Sequence, residues 1–278
     1  MVKIISDSST LFSSEEARNA GFDIAPLSVT INGENYKEFD ELTTPELIKK
    51  ISEGGIPKSS QPAVGDFVDL YNKYPEDDII VITMASGLSG TYNSACLARN
   101  LCDNPDKVTV VNSRTLCGPQ REMVLKAVRL ANEGADKDTI LAAVNTQIDN
   151  TYSYLIPRDF VFLKRGGRLN PLVAEIGRLI NLVPVLTLSK DCTSLVSFTK
   201  QRSIAKAVNK IVTFLKDKNI DGKYSFQITH ADYLEEAEVV KNYVSAAFPD
   251  CDIELMLLSP VFTTQGGPKC IAIQTVLK

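Results

Sequence analysis

The chain has 278 residues, of which 44% are hydrophobic and 23% charged. A chain of this length hides roughly 70–75% of its unfolded surface when packed, enough for one large core or two smaller ones. Thirty Lys and Arg against 34 Asp and Glu leave a net charge of -4, which excludes a basic field of the kind that gathers nucleic acid. In chain order, V-K-I-I (residues 2–5) is the first apolar strand candidate, followed by Ile79–Ile82 and Val108–Val111. Between them lie helices with clear punctuation. Thr44 and Pro45 open E-L-I-K-K-I-S-E, and Gly54-Gly55 ends it. Further helices are expected over Val64–Asn72, Tyr92–Leu101 and Gly118–Gly134, with Asp138 capping T-I-L-A-A-V-N-T-Q-I. Wholly apolar strands separated by helices predict a parallel sheet covered on both faces.

The second half has another rhythm. N-T-Y-S-Y-L-I-P-R-D breaks the helical period near 150–160 and sets the expected boundary between an N-terminal domain, 1–155, and a C-terminal domain, 156–278. F-V-F-L (160–163) reads as a strand before the basic glycine turn L-K-R-G-G-R-L (163–169). L-V-P-V-L-T-L (182–188) and T-S-L-V-S-F (193–198), separated by S-K-D-C, predict a hairpin. A basic helix over Ser203–Lys216, strands over Tyr224–Thr229, Ile253–Leu258 and Ile271–Leu277, and an acidic helix over Tyr233–Ala247 complete a mixed α+β layer. P-V-F-T-T-Q-G-G-P (260–268) reads as a loop before the last strand.

Asp7 interrupts the start too early for a secretory leader. The longest apolar stretch, Leu179 to Ser189, is about half a membrane span and contains Pro184, so no stable membrane insertion is expected. Six scattered cysteines without a C-x-x-C pair, beside a single histidine, argue against a zinc site or a disulfide framework. A cytoplasmic protein is expected.

The informative pattern lies just beyond each strand of the first half. Ser6-Asp7-Ser8-Ser9, then S-G-L-S-G-T (86–91), then Asn112-Ser113-Arg114 deliver hydroxyls to the carboxyl edge of a parallel sheet, where ligands of open α/β sheets bind. S-G-L-S-G-T also opens a helix, and a helix N-terminus favours an anion. Ser86 and Ser89 are therefore candidate ligand-binding hydroxyls; in the plainer reading they cap the helix and hold a turn. K-S-S-Q-P (58–62) supplies a second pair, Ser59 and Ser60, which read alone is a helix cap. Catalytic alternatives are thin. G-L-S-G-T departs from G-x-S-x-G at its last position, and His230 is the one histidine able to serve Ser89 as a base. No P-loop, G-x-G-x-x-G or metal-carboxylate run is present.

Taken together and in order, D-S-S, S-S-Q-P, S-G-L-S-G-T-Y-N-S-A, L-K-R-G-G-R-L, I-T-H-A and P-V-F-T-T-Q-G-G-P resemble the DegV family over nearly the whole chain. The resemblance implies two α/β domains that clasp a long-chain fatty acid in an apolar tunnel, with its carboxylate held by hydroxyls between the domains. It implies a carrier without a cofactor, one that presents the acid to a separate fatty acid kinase of the dihydroxyacetone-kinase type. Carried over position by position, the family's threonine in T-S-Q-P falls on Ser59, and its carboxylate-contacting serine falls on Ser89, with Ser86 as the other candidate. Gln265 stands where the family commonly has a histidine, so a neutral amide replaces a group able to carry charge. A basic cluster, Lys200, Arg202, Lys206 and Lys210, is either solvated surface or the docking face for that kinase. A serine hydrolase of acyl esters using Ser89 and His230, and a binder of a small phosphorylated metabolite, are the alternatives.

Overall fold

A computed structural model describes residues 1–170 and 182–278; the Leu179–Asn181 start of the long apolar stretch lies outside the described residues. The chain begins with β1 (Val2–Asp7), α1 (Ser14–Asn19), β2 (Asp23–Ala25), β3 (Ser28–Ile31), β4 (Glu34–Lys37) and α2 (Thr44–Ser52). It continues through β5 (Lys58–Ser60), α3 (Val64–Asn72), β6 (Asp78–Thr83), α4 (Thr91–Leu101), β7 (Val108–Asn112), α5 (Gly118–Asn132) and α6 (Lys137–Asp149). The remainder comprises β8 (Thr151–Ile156), α7 (Phe160–Gly166), β9 (Val183–Leu188), β10 (Leu195–Gln201), α8 (Ile204–Asp217) and β11 (Tyr224–His230). Last come α9 (Leu234–Ala247), β12 (Asp252–Leu257), α10 (Pro260–Gly266) and β13 (Ile271–Leu277).

These strands form three sheets. The first is parallel, in the order β2-β1-β6-β7. Alternation along its strands sends Ile4, Ile80 and Ile82 to one face, against Met123, Val124 and Ile140 of α5 and α6. Ile5, Ile79 and Val81 go to the other face, against Phe67, Tyr71 and Ala95 of α3 and α4. Both faces are covered, as expected for uninterrupted apolar strands. The second sheet is mixed, in the order β10-β9-β8-β13-β11-β12, with α8 and α9 over one face. β8 spans residue 155 and belongs whole to this sheet. The third sheet, β4-β3-β5, is antiparallel and packs with α2 and α10 around Val29, Leu47 and Phe262.

Several expectations are corrected. F-V-F-L is not a strand but most of α7, capped by the Asp159 carboxylate on the Val161 amide and closed by Gly167 in the left-handed region at φ 72°. T-T-Q-G-G-P is not a loop throughout, because Ser259 caps α10 through the Phe262 amide and Pro260 fits its first turn. Asp136, not Asp138, caps α6, accepting from the Thr139 amide at 2.8 Å. Ser59 and Ser60 cap no helix, since they lie on β5 paired to Val29 and Ser28.

Helix α5 lies between the two larger sheets and approaches the mixed one closely at its first residue. Gly118, at the start of α5, lies so close to β11 that an added Cβ would fall inside the Gln227 side chain. Gly118→Ala is expected to destabilise the fold by about 1–3 kcal/mol through overpacking. Urea unfolding reads this as a lower midpoint at an unchanged slope.

Candidate functional site

The carboxyl edge of the parallel sheet is built around a buried carboxylate. Asp7 Oδ2 accepts from the Met84 amide at 2.9 Å, while Oδ1 accepts from the Ser9 amide and hydroxyl and from Gln120 Nε2. The end of β1 is thereby fixed to the start of the loop after β6. That loop is set further by Ala85 N donating to Thr115 O at 2.8 Å. It approaches the β9–β10 turn at Gly87, where a Cβ would collide with the Thr193 backbone.

Below this loop lies a cavity of about 440 Å³ between the sheets, within the usual range for small-molecule sites. Leu27, Met84, Leu155, Leu163, Leu186 and Phe262 supply apolar wall from both halves of the chain. Ser59, Ser60, Gln61, Ser89 and Gln265 also line it, with Ser60 and Gln61 exposed. Gln265 Nε2 donates to Ser59 Oγ at 2.7 Å, joining α10 to β5. Gln61 packs on Gly90 and donates to Ser94 Oγ at 2.7 Å, joining the end of β5 to the Ser89 loop. Ser89 Oγ lies 2.8 Å from Thr91 Oγ1.

The structure therefore brings Ser59, Ser60, Ser89 and Gln265 to one cavity. It does not bring Ser86 there. Ser86 Oγ accepts from Asn112 Nδ2 at 2.8 Å and its amide donates to Asn112 Oδ1 at 3.2 Å, so this serine holds a turn between β6 and β7. His230 is likewise outside the lining, and its Nδ1 accepts from the Tyr233 amide at 3.1 Å. Burial lowers its pKa, and no hydrogen bond joins it to Ser89 among the described residues. Among the described residues no group of three or more His, Cys, Asp or Glu side chains is placed to hold a metal, and no described helix is long and apolar enough to cross a membrane.

The family model for DegV matches residues 1–278. The chain belongs to the DegV family. A DegV domain-containing protein of Listeria innocua is 30% identical over 285 residues, covering 100% of this chain and 99% of the relative. A crystal structure of DegV from Bacillus subtilis, described as a fatty acid binding protein, superposes with a TM-score of 0.88 at 27% identity, covering 100% of this chain and 99% of that one. A DegV family protein from Thermus thermophilus, whose fatty acid binding is described, gives a TM-score of 0.90 at 25% identity and the same coverage.

Sequence reasoning missed lining residues of this DegV cavity. Arg168 is one: its Nε donates to Leu88 O at 3.1 Å and its Nη1 to Gly166 O, tying the serine loop to the end of α7. The basic glycine turn was the available signal, but nothing in it indicated which arginine turns inward. Ser153 and Gln274 are two others; their signal is a polar residue within a strand of mostly apolar and aromatic residues.

One buried acid supports the cavity without lining it. Glu38, 1% exposed, accepts from Ser8 Oγ at 2.6 Å and from the Val261 amide at 3.0 Å. Ser8 Oγ in turn accepts from the Leu27 amide at 2.9 Å. Leu27 and Val261 both line the cavity. Burial pushes the Glu38 carboxyl up to about 7, against hydrogen bonds from Ser8, Val261 and Ser259 that lower it, and the nearby Asp7 adds to the rise. Cys117, another lining residue, is also buried, and desolvation first, then Glu38, raises its thiol pKa well above the usual value.

Because the folded-state pKa of Glu38 is raised, its contribution to stability is complete below the unfolded value near 4.5 and is lost as pH rises through about 7. Relative to Glu38→Gln, which cannot ionise, the wild type should lose stability between pH 5 and 8, on the order of 2–3 kcal/mol. Urea midpoints of both proteins across that range check the sign; a difference that does not change with pH removes Glu38 as its source.

Proposed function

We propose that this protein binds a long-chain fatty acid in the cavity, with the carboxylate among Ser59, Ser60, Ser89 and Gln265. The observation that carries the reading is an apolar cavity whose rim gathers hydroxyls and an amide donor, in a chain that matches the solved fatty-acid-binding DegV structures from end to end. Burying about 14 methylenes at ~0.8 kcal/mol each gives roughly 11 kcal/mol before the costs of association. The apolar wall therefore supplies affinity, and the rim satisfies a carboxylate that would be costly to bury unpaired. Ser59 already accepts from Gln265, which leaves its own hydroxyl proton free to donate outward. Gln265 brings no charge to the rim, so the charge in these hydrogen bonds comes from the ligand.

In this reading the protein is a cytoplasmic carrier, not a catalyst. Ser89 is engaged with Thr91 and no base is hydrogen-bonded to it among the described residues, which speaks against the hydrolase alternative. Two domains divided near residue 155, with β8 the first element of the second, clasp the ligand where their sheets meet. The bound acid is then offered to a separate fatty acid kinase of the dihydroxyacetone-kinase type. Lys200, Arg202, Lys206 and Lys210 lie on β10, the turn after it and α8, and would meet an acidic face of that partner.

Organic extraction and mass spectrometry of the purified protein should release free fatty acid at about one per chain. Recovery of a phosphorylated metabolite without lipid would overturn the reading. After delipidation, Ser59→Ala with Ser89→Ala should weaken fatty acid binding by roughly 10–100-fold while the fold is kept. Wild-type affinity in that double variant would remove the assigned head-group site. Lys200→Glu with Arg202→Glu should weaken capture of the kinase at low salt; unchanged complex formation would place the docking face elsewhere.

A further inference from the structure

The sheet wall of the cavity carries polar groups that holding an acyl chain does not use. Ser153, Gln274 and Gln227 stand side by side on β8, β13 and β11. Their neighbours Tyr154, Ile273 and Phe226 point to the opposite face, into the core under α8 and α9. Ser153, Thr187 and Gln274 line the cavity, and Gln274 is 2% exposed.

The Gln274 amide is fixed in orientation. Its Nε2 donates to Leu116 O at 3.0 Å and to Ser153 Oγ at 3.0 Å. A backbone carbonyl only accepts, so reversing the amide would set oxygen against oxygen. Both of its N–H protons are spent, while Oε1 is buried without a hydrogen-bond partner. The neighbouring hydroxyls do not relieve it, because Thr187 donates to Ser153 O at 2.9 Å and Ser153 pairs with Thr115 at 3.3 Å. Gln227 and Gln265 also have an unpartnered Oε1, but Gln227 lies outside the cavity lining and Gln265 Oε1 is packed against Gly166 at the end of α7. A buried acceptor without a donor is costly, and beside a ligand cavity the ligand can remove that cost.

We propose that Gln274 Oε1 is a second polar subsite, which receives a hydroxyl carried on the acyl chain, so that the protein prefers hydroxylated long-chain fatty acids. This rests on the acyl-binding reading above. The chemistry follows from the acceptor. A carboxylate or phosphate oxygen would be repelled by it, so the head group belongs at Ser59, Ser89 and Gln265. An ammonium would be buried without a counter-charge, since Arg168 is the charged residue of the described lining. A neutral donor remains, and on a fatty acid that is a hydroxyl. Gln274 also follows Ala272 on the same face of β13, about 6.6 Å further along the strand that leaves α10 and its Gln265. The subsite therefore meets the chain rather than its head.

The test uses delipidated full-length protein, octadecanoic acid, and a series of octadecanoic acids bearing one hydroxyl at successive carbons. At least one positional isomer is expected to bind about three- to tenfold more tightly than the unsubstituted acid. Gln274→Met should abolish that ratio, whereas Ser153→Ala, which keeps the carbonyl, should retain it. The proposal is overturned if no isomer exceeds octadecanoic acid in the wild type, as when water fills the subsite, or if the preference survives Gln274→Met. The wild-type series decides this even if a variant fails to fold. Binding of octadecanoic acid without a preference sinks the subsite alone; no binding of any acid sinks the carrier reading with it.

Discussion

The carboxylate of Glu38 joins three pieces of chain that meet nowhere else in sequence: the end of β1 through Ser8, the entry to β3 through Leu27, and the start of α10 through Val261. In a low-dielectric interior each of these hydrogen bonds is strong, and each would leave an expensive orphan if broken. The arrangement fixes where α10 begins, and α10 carries both Phe262 and Gln265 to the cavity. An acid whose ionisation burial resists thus sits at the point where the small antiparallel sheet, the parallel sheet and the last helix converge.

Close backbone approach is the second device. Gly90 sits against the Gln61 amide and Gly166 against the Gln265 amide. A side chain at either glycine would displace a polar group from the rim. The glycine-rich motifs around the cavity therefore act less as flexible hinges than as clearances for particular amides. Among the described residues the resulting rim is neutral apart from Arg168, whose guanidinium is itself anchored on two backbone carbonyls. In the proposed reading such a rim would set the direction of an amphiphile and leave the strength of its capture to the apolar wall.

Much of this was legible in the chain because local signals agreed. β13 and α3 fall at the expected residues, and the hairpin of β9 and β10 forms where S-K-D-C separates two apolar runs. Where signals were short, they misled. F-V-F-L is too brief for periodicity to separate strand from helix, and the Asp159 cap and basic last turn outweigh its β-prone residues. Ser59 and Ser60 resemble a cap because Pro62 and a helix follow, yet pairing with β3 takes them into a strand. Ser86 and Ser89 share one loop, and their separation depends on Asn112, a partner 26 residues from Ser86 that no local pattern identifies. Arg168, Ser153 and Gln274 depend in the same way on long-range register.

Cys117 carries a consequence of its own. Its thiol forms part of the cavity wall, is fully buried, and is held in the neutral form by its surroundings. Alkylating reagents attack the thiolate, so this sulfur stays silent while the wall around it stays closed. Its rate of modification then becomes an internal clock for how often that wall opens, read without any label having been attached.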